Sequence, residues 1–381
     1  MTDSMAVRRK PLIETAGHLS DSLAVPQPQQ SEDDNPRSTR WWHQSLAKGA
    51  AGVAILHGIR AQDGIGAHDR VHAWLTCATG DDLSAARSAG LWFGAPAVAF
   101  ALAVAAPGQC PTAAAALDNS VKKLIGARLH TAHVRLNALQ RPALSEFDVV
   151  RGLTGLGAYL LRVEPDNELL LKVLTYLVRL TEPLVADDHL GTHVPGWWTL
   201  EQPTQQSQPA LAQGHANSGM AHGIAGPLAL LSLTQRKGVT VTHQTDAIER
   251  ICSWLDRWCQ ESPSGPWWPE WITRADLREK RPRQRAPGRA SWCYGTPGLA
   301  RAQQLAGIAI ADSARQDAAE IALTRCLSDV AQLTSTTGSN LCHGLAGSLA
   351  TAWCAAADAR SPLIGMQMPF LTNALFNNMK S

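Results

Sequence analysis

The sequence predicts an all-α protein, more specifically an α/α toroid in which inner helices form a closed ring surrounded by outer helices. Three observations predict it. A glycine motif followed by an apolar segment recurs along the chain, amphipathic segments lie between the copies, and β-branched alternation and hairpin signals are rare. The chain has 381 residues, of which 45% are hydrophobic and 17% charged, so it is long enough to bury a large core.

The first 40 residues differ in composition from the rest. They are polar and include a Pro- and Gln-rich stretch at 26–30 and an acidic stretch at 31–34, which predicts a leading helix and a loose connector. From Trp41 onward the chain has the composition of a continuously packed domain. We therefore predict an N-terminal helix and polar connector at 1–40 and one α/α-toroid domain at 41–381.

The repeated motif is Gly-x-x-Gly or Gly-x-x-Ala followed by about ten mostly apolar residues. Its six copies begin at Gly49, Gly94, Gly152, Gly223, Gly295 and Gly344. Segments that are apolar on most sides predict inner helices covered by their neighbours. In a closed ring the starts of these helices meet at one central cavity, which is where we expect the chemistry.

The segments between the copies have the pattern of outer amphipathic helices. Asp166 is a candidate N-cap for a helix with one apolar stripe, and a similar stripe follows later in the chain. The first stripe consists of Leu169, Val173, Leu177 and Leu180, and the second of Ile248, Cys252, Leu255 and Cys259. Together with Cys326 and Cys354, the two cysteines of the second stripe are expected to be structural.

Charge and cysteine usage exclude several classes of protein. Lys and Arg total 34 against 32 Asp and Glu, a net charge of +2, which argues against nucleic acid as a partner. The longest apolar run, Ala95 to Ala106, is too short to span a membrane, and the N-terminus lacks the apolar core of a signal peptide. Eight irregularly spaced cysteines indicate reduced thiols or metal ligands rather than a disulfide framework. We expect a cytoplasmic protein.

Three copies carry metal-binding or titratable residues just before their glycine: His222, Cys293, and the pair Cys342 and His343. If the ring closes, two thiolates and one imidazole converge, a set suited to Zn²⁺ with one coordination position open. The alternative is that both cysteines are small buried hydrophobic residues and that His343 is a hydrogen-bonded core residue. Because neighbouring side chains on a helix diverge, Cys342 and His343 must lie in the turn that enters the helix.

A zinc ion with thiolate ligands and an open position activates a sulfur nucleophile, because a bound thiol loses its proton at neutral pH. A zinc hydrolase would more usually show His and carboxylate ligands, as in His-Glu-x-x-His. The sequence has no such motif.

Three segments carry a resemblance to a known family. NSGMAHGIAGP at 217–227, WCYGTPG at 292–298 and CHGLAG at 342–347 resemble the motifs of the lanthionine synthetase C-like family, and the likeness begins at SLAKGAAG, 45–52. The resemblance implies an α/α toroid and a bacterial lanthipeptide cyclase that carries one zinc ion. Such an enzyme closes thioether rings by adding peptide cysteines to dehydroalanine or dehydrobutyrine. The family's toroid usually has seven helix pairs, whereas six copies are found here; residues 100 to 150 are a candidate stretch for a degenerate seventh copy, whose location the sequence does not fix.

The same resemblance implies roles for seven residues. Cys293, Cys342 and His343 match the zinc ligands. His222 matches an active-site histidine that exchanges protons with the thiol or the enolate. The other matches are Asp148, which would orient His222 or simply cap a helix, and Arg289 and Tyr294, which would stabilise the developing enolate oxygen.

The implied partners are a dehydrated precursor peptide with its leader, together with a lanthipeptide dehydratase and an exporter that would bring the protein to the membrane periphery. The basic run Arg278 to Arg285 either meets acidic groups of the leader or is a solvated loop. Two other functions stay open. One is a zinc-thiolate protein acting on glutathione or another thiol, and the other is a zinc scaffold without catalysis. A scaffold zinc would be expected to have four protein ligands.

Overall fold

Helices account for most of the structure, a computed structural model that describes residues 13–26, 43–185, 193–202, 208–336 and 338–379. Residues 13–22 are helical, as expected for the leading helix. Most of the predicted connector, from residue 27 to residue 40, lies outside the described residues. The domain boundary at residue 40 therefore stays a prediction.

The helices and strands follow one another with short connections. The helices are α1 Ala50–Gln62, α2 His68–Ala78, α3 Ala95–Ala105, α4 Pro111–Asn137, α5 Leu144–Phe147, α6 Leu153–Val163, α7 Glu168–Leu180, α8 Ala225–Arg236, α9 Gln244–Trp258, α10 Arg274–Glu279, α11 Thr296–Ala309, α12 Ser313–Ser328, α13 Val330–Thr334, α14 Leu345–Asp358 and α15 Leu363–Asn378. A 3₁₀ turn spans Pro209–Leu211. Two antiparallel ladders pair β1 Leu184–Val185 with β2 His193–Val194, and β3 His215–Asn217 with β4 Trp271–Thr273.

Every predicted glycine motif opens a helix. These helices are α1, α3, α6, α8, α11 and α14, and the motif's first glycine is the N-cap of all except α8, whose N-cap is Ile224. Each is followed by a second helix: α2, α4, α7, α9, α12 and α15. The candidate seventh copy is not found between residues 100 and 150, because the end of α3, the continuous helix α4 and the short α5 occupy that stretch.

The chain divides into two compact units within α4, one ending at Ala127 and the other beginning at Arg128. In the first unit α1 packs against α2 and α3. In the second unit the helices α6, α8, α11 and α14 pack against one another in chain order. Each of these four also contacts the helix that follows it in its pair, which is the predicted inner and outer arrangement.

The outer helices bury most of the predicted apolar stripes, with three corrections. Leu169, in the first turn of α7, is half-buried rather than buried. The N-cap of α7 is Asn167 rather than Asp166, since the Asn167 side chain accepts a hydrogen bond from the Leu169 N–H at 2.8 Å. On α9 the stripe is buried as far as Leu255, whereas Cys259 is the half-buried C-cap residue. Among the described residues, no helix combines the length and apolarity required to cross a bilayer.

Candidate functional site

The turns that enter α6, α8, α11 and α14 are joined side by side by backbone hydrogen bonds. The Val149 N–H donates to the Ala221 carbonyl at 3.0 Å. The N–H groups of Met220 and Ala221 donate to the Cys293 carbonyl at 2.8 and 3.2 Å, and the Cys293 N–H donates to the Cys342 carbonyl at 3.1 Å. The four turns therefore form one backbone network, and the predicted site residues of the second unit are attached to it.

A polar residue four positions before the glycine stabilises most of these turns. The side-chain oxygens of Asp148, Ser291 and Asn340 accept hydrogen bonds of 2.6 to 3.2 Å from backbone N–H groups three or four residues later. In the first unit Ser45 occupies the same position and accepts from two N–H groups of its turn. The position is polar in four of the six copies, a signal that the sequence analysis missed.

Two thiols and an imidazole come together where α11 and α14 begin. The Sγ atoms of Cys293 and Cys342 and a ring nitrogen of His343 lie within 4.8 Å of one another. Cys293 is buried, Cys342 half-buried and His343 exposed, so the cluster opens towards solvent on the His343 side. Cys342 and His343 lie in the turn before α14, as predicted. This donor set fits zinc, because two sulfurs and one imidazole nitrogen are ligands that Zn²⁺ prefers.

The two cysteines of the cluster share a hydrogen bond that shifts the pKa values of their thiols in opposite directions. The pKa of the Cys293 thiol is lowered to about 6, chiefly by the bond from Cys342 and also by the bond from the Ser291 hydroxyl, against the opposing effect of burial. The same bond, together with burial, raises the pKa of Cys342. One thiolate is thus favoured at neutral pH, which is the protonation state that a metal ligand needs.

A histidine and a buried aspartate form the second part of the site. The His222 Nδ1 atom lies 2.6 Å from Oδ2 of Asp148, whose side chain is fully buried. Since a carboxylate only accepts, Nδ1 carries the proton in this bond and Nε2 is left for another partner. The other oxygen of Asp148 accepts from the N–H groups of Arg151 and Gly152 in the turn, but the N-cap of α6 is Gly152, so the interpretation of Asp148 as a helix N-cap was wrong.

Tyr294 and Arg289 lie near these groups in different ways. The Tyr294 ring is half-buried, with its centroid 6.4 Å from that of His222 and 6.0 Å from that of Trp271. Burial raises the pKa of Tyr294 to about 12. Arg289 is exposed, and its charge lowers the pKa of Cys293. It makes no hydrogen bond to the site residues within the described parts of the chain.

The ladder of β3 and β4 supplies residues to which the sequence analysis assigned no catalytic or metal-binding role. Asn217, Glu270 and Trp271 lie at one end of this ladder, beside Tyr294, and the Glu270 carbonyl accepts the Ser218 N–H at 3.0 Å. Asn217 begins the NSGMAHG segment, so the signal was its presence in the motif. Burial raises the pKa of Glu270, and the charge of Arg289 opposes this shift.

A cavity of about 390 Å³ adjoins the turns between α6 and α8. Val149, Met220 and Trp292 line it near the site, and Arg162 and Lys237 line it at the C-terminal ends of the two helices. The cavity is mostly apolar, and Cys293, Cys342, His343 and His222 are not among the residues that line it.

Other candidate residues lie apart from this cluster. In the basic run, Arg281 and Arg283 form ion pairs with Glu279 at 3.6 and 3.3 Å, as in a solvated loop. Cys252 and Cys326 are buried as expected. Cys354 is exposed, so the expectation that it is a structural cysteine on an apolar helix face was wrong. The physical reason is that its side of α14, which also carries the exposed Trp353, faces solvent.

Comparisons with known proteins agree with this architecture. A family model described as lanthionine synthetase C-like protein matches residues 40–353. Nisin biosynthesis protein NisC of Lactococcus lactis subsp. lactis is 25% identical over 205 residues, which are 53% of this chain and 47% of that protein. The chain thus spans about half the length of the curated relative that it matches.

A solved structure of nisin cyclase is similar to this one with a TM-score of 0.75 and 16% sequence identity. The likeness covers 98% of this chain and 88% of that one. The predicted fold class, an all-α protein of the α/α-toroid type, is confirmed.

Proposed function

The chain belongs to the lanthionine synthetase C-like family, and from this premise we propose that it is a lanthionine cyclase. It would form lanthionine and methyllanthionine rings by adding cysteine thiols to dehydroalanine or dehydrobutyrine in a dehydrated precursor peptide. The observation that carries the proposal is the cluster of Cys293, Cys342 and His343 on the same backbone network as the His222–Asp148 pair. One group of ligands suits a thiolate-activating metal, and the pair suits proton transfer.

We propose that Cys293, Cys342 and His343 hold one Zn²⁺. Bound there, zinc supplies the Lewis acidity that keeps a substrate thiol deprotonated at neutral pH. Within the described residues the cluster has three protein ligands. Three ligands favour a catalytic site over a scaffold, because a structural zinc is expected to have four.

His222 would move the proton. Its Nδ1–H is held by Asp148, so Nε2 accepts the proton of the approaching thiol. The sulfur then bonds to Cβ of the dehydrated residue, the Cα=Cβ π bond breaks, and its electron pair gives an enolate on the neighbouring carbonyl. The imidazolium returns the proton to Cα, so thiol and alkene become a thioether without loss of atoms.

Three charged or polar side chains would support these steps. Asp148 stabilises the imidazolium through a hydrogen bond made in a fully buried position. Tyr294 and Arg289 would stabilise the negative charge on the enolate oxygen, Tyr294 through its hydroxyl and Arg289 through its exposed guanidinium.

We also propose the partners and location that this function implies. The substrate would be a leader-bearing peptide, delivered in the cytoplasm by a dehydratase and passed on to an exporter at the membrane. The protein should then co-purify with a co-expressed dehydratase, and recovery of each protein alone would contradict the complex but not the cyclase activity.

The proposal is tested by measuring zinc content and ring formation in the same samples. The variants are Cys293→Ala and His222→Ala, with Cys354→Ala as the control, since Cys354 is exposed and lies outside the cluster. Thioether formation on a dehydrated peptide is read by mass spectrometry as the loss of alkylatable thiols. A reaction without enzyme gives the uncatalysed rate.

Wild type and the control should carry one zinc per chain and close rings. Cys293→Ala should lose both properties, and His222→Ala should keep zinc but close rings slowly. A wild-type protein without zinc would overturn the ligand assignment. A zinc-loaded protein that leaves the thiols of several dehydrated peptides unchanged would overturn the cyclase, and turnover of glutathione in a parallel assay would point to the alternative thiol chemistry.

A further inference from the structure

Asn217 is a fully buried amide between a turn and the Tyr294 hydroxyl. Its Oδ1 accepts a hydrogen bond from the Gly219 N–H at 2.9 Å, and its Nδ2 donates to the Tyr294 hydroxyl at 3.2 Å. The sequence places Asn217 at the start of the motif that also holds His222. No role follows for it from the ligand cluster or the His222–Asp148 pair.

The orientation of the amide follows from its neighbours. A backbone N–H can only donate, so the group facing Gly219 must be the carbonyl oxygen of Asn217. The amide NH₂ then faces Tyr294 and can only donate. The phenol oxygen therefore accepts in this bond, and its own proton is directed elsewhere.

Two glycines make room for this arrangement. A Cβ on Gly219 would lie 2.7 Å from Cδ1 of Tyr294, and a Cβ on Gly223 would lie 2.4 Å from Oδ1 of Asn217. Both distances are shorter than atoms can approach, so a side chain at either position would displace the phenol or the amide. The two glycines thus leave the space in which the Asn217 amide and the Tyr294 ring pack.

We propose that Asn217 is a positioning residue that fixes the direction of the Tyr294 hydrogen bond, so that the phenol O–H is available as a donor to the enolate oxygen of the substrate. Within the described residues the Tyr294 hydroxyl has no other hydrogen-bond partner. Its remaining donor capacity is therefore not consumed by the protein. A donor fixed in advance stabilises developing charge without reorganisation during the reaction.

This inference rests on the proposed function for its role in catalysis, but the direction of the bond can be tested without activity. The intensity ratio of the tyrosine Fermi doublet in a Raman spectrum reports whether a phenol donates or accepts. The chain has three tyrosines, so the difference spectrum between wild type and Tyr294→Phe isolates Tyr294. The ratio should be that of a phenol that accepts, either alone or together with a donated bond to water, and not that of a phenol that only donates.

Asn217→Asp is the decisive variant. The new carboxylate keeps an acceptor for the Gly219 N–H, so the turn retains its hydrogen bond, but it turns the group that faces Tyr294 from a donor into an acceptor. The Tyr294 proton would then be bound by the carboxylate. We expect the Raman ratio to move to that of a donating phenol and kcat to fall about 10²-fold, with KM changed by less than about threefold.

A double variant separates this effect from the added charge. If Asn217 acts through Tyr294, adding Asn217→Asp to Tyr294→Phe should change kcat by less than about twofold. Zinc content of all variants should stay near that of wild type, whereas the melting temperature should fall in both Asn217 variants, because the residue is fully buried, so activity is compared at a temperature where every variant is folded. Asn217→Ala provides a second variant without added charge and should also lower kcat.

Three results would overturn the proposal: a wild-type phenol that donates without accepting, an unchanged Raman ratio in Asn217→Asp, or a changed ratio with wild-type kcat. A wild-type enzyme that closes no rings would instead refute the proposed function, and the Raman measurement would still decide the direction of the bond.

Discussion

Replacing Asp148 by Asn should leave the turn before α6 intact and disable His222. The Oδ1 atom of Asp148 accepts from the N–H groups of Arg151 and Gly152 at 2.6 and 2.7 Å, and an asparagine oxygen can keep both bonds. The amide NH₂ must then occupy the position of Oδ2, where it faces Nδ1 of His222. Because two donors cannot pair, the imidazole would move its proton to Nε2 and could no longer accept the thiol proton.

The magnitude follows from the bond that is lost. A hydrogen bond to a charged group contributes about 1.5 to 3 kcal/mol, and 1.4 kcal/mol corresponds to about tenfold in rate. Losing the bond to the imidazolium alone therefore slows ring closure about 10- to 100-fold. The tautomer of His222 with its proton on Nε2 slows the reaction further, so we expect the rate of ring closure to fall by about 100-fold or more.

The assay is single-turnover ring formation on a dehydrated peptide, combined with zinc analysis and thermal unfolding. Ser45→Ala is the matched control, since Ser45 caps the equivalent turn in the first unit and has no histidine partner. It should lower stability by about 0.5 to 2 kcal/mol without slowing the chemical step. If Asp148→Asn keeps more than about one third of the wild-type rate at full zinc content, the role of Asp148 in holding His222 is refuted.

Three other predictions concern stability and reactivity. His215 is fully buried with neither ring nitrogen hydrogen-bonded within the described residues, and burial lowers its pKa to about 4. An unfolded histidine titrates near 6.5, so unfolding takes up a proton between these pH values and stability falls as the pH drops. Urea titrations at pH 7 and pH 5 measure how far the free energy of unfolding falls between these pH values. In His215→Phe this fall should be smaller than in wild type by about 2 kcal/mol, and an equal fall would contradict the lowered pKa of His215. Gly295→Ala should destabilise the protein strongly, because the new Cβ would lie 2.2 Å from a backbone oxygen. Gly126→Ala, on α4 where nothing lies within reach of a Cβ, should instead stabilise it by up to about 1 kcal/mol. Equal melting temperatures of the two variants would contradict the close approach at Gly295. In the native protein, iodoacetamide should label the exposed Cys354 well before the buried Cys252, because burial raises the pKa of Cys252 to about 12. Peptide mapping of the labelled protein measures the order, and labelling of Cys252 first would refute its burial.

The inner helices could be predicted because one local signal specifies each of them. A glycine pair permits close approach at the helix start, and an apolar segment follows, so the position of the helix is encoded within about 14 residues. The cap of α7 could not be placed in the same way. Asp166 and Asn167 are both good N-caps, and packing of the apolar face decides between neighbouring residues that differ by about 100° around the helix.

The site was only partly predictable, for a related reason. The metal cluster was expected because the repeat aligns Cys293 with Cys342 and His343. Nothing local pairs His222 with Asp148, 74 residues away, so that pair came from the family resemblance. The ladder that brings Asn217 beside Tyr294 has three residues in each strand, too few to show the two-residue alternation of a β-strand.

The backbone network suggests why the metal cluster and the acid-base pair can work on one substrate. The Cys293 carbonyl accepts from Met220 and Ala221, next to His222, while its N–H donates to Cys342. The cysteine that would bind metal and the histidine that would move the proton are thus held by the same peptide units, not by flexible side chains. Reaction geometry must be kept to within fractions of an ångström for such groups to act together. A distortion of the turn before α11 should therefore impair zinc binding and proton transfer together, whereas His222→Ala should impair proton transfer and leave zinc binding intact.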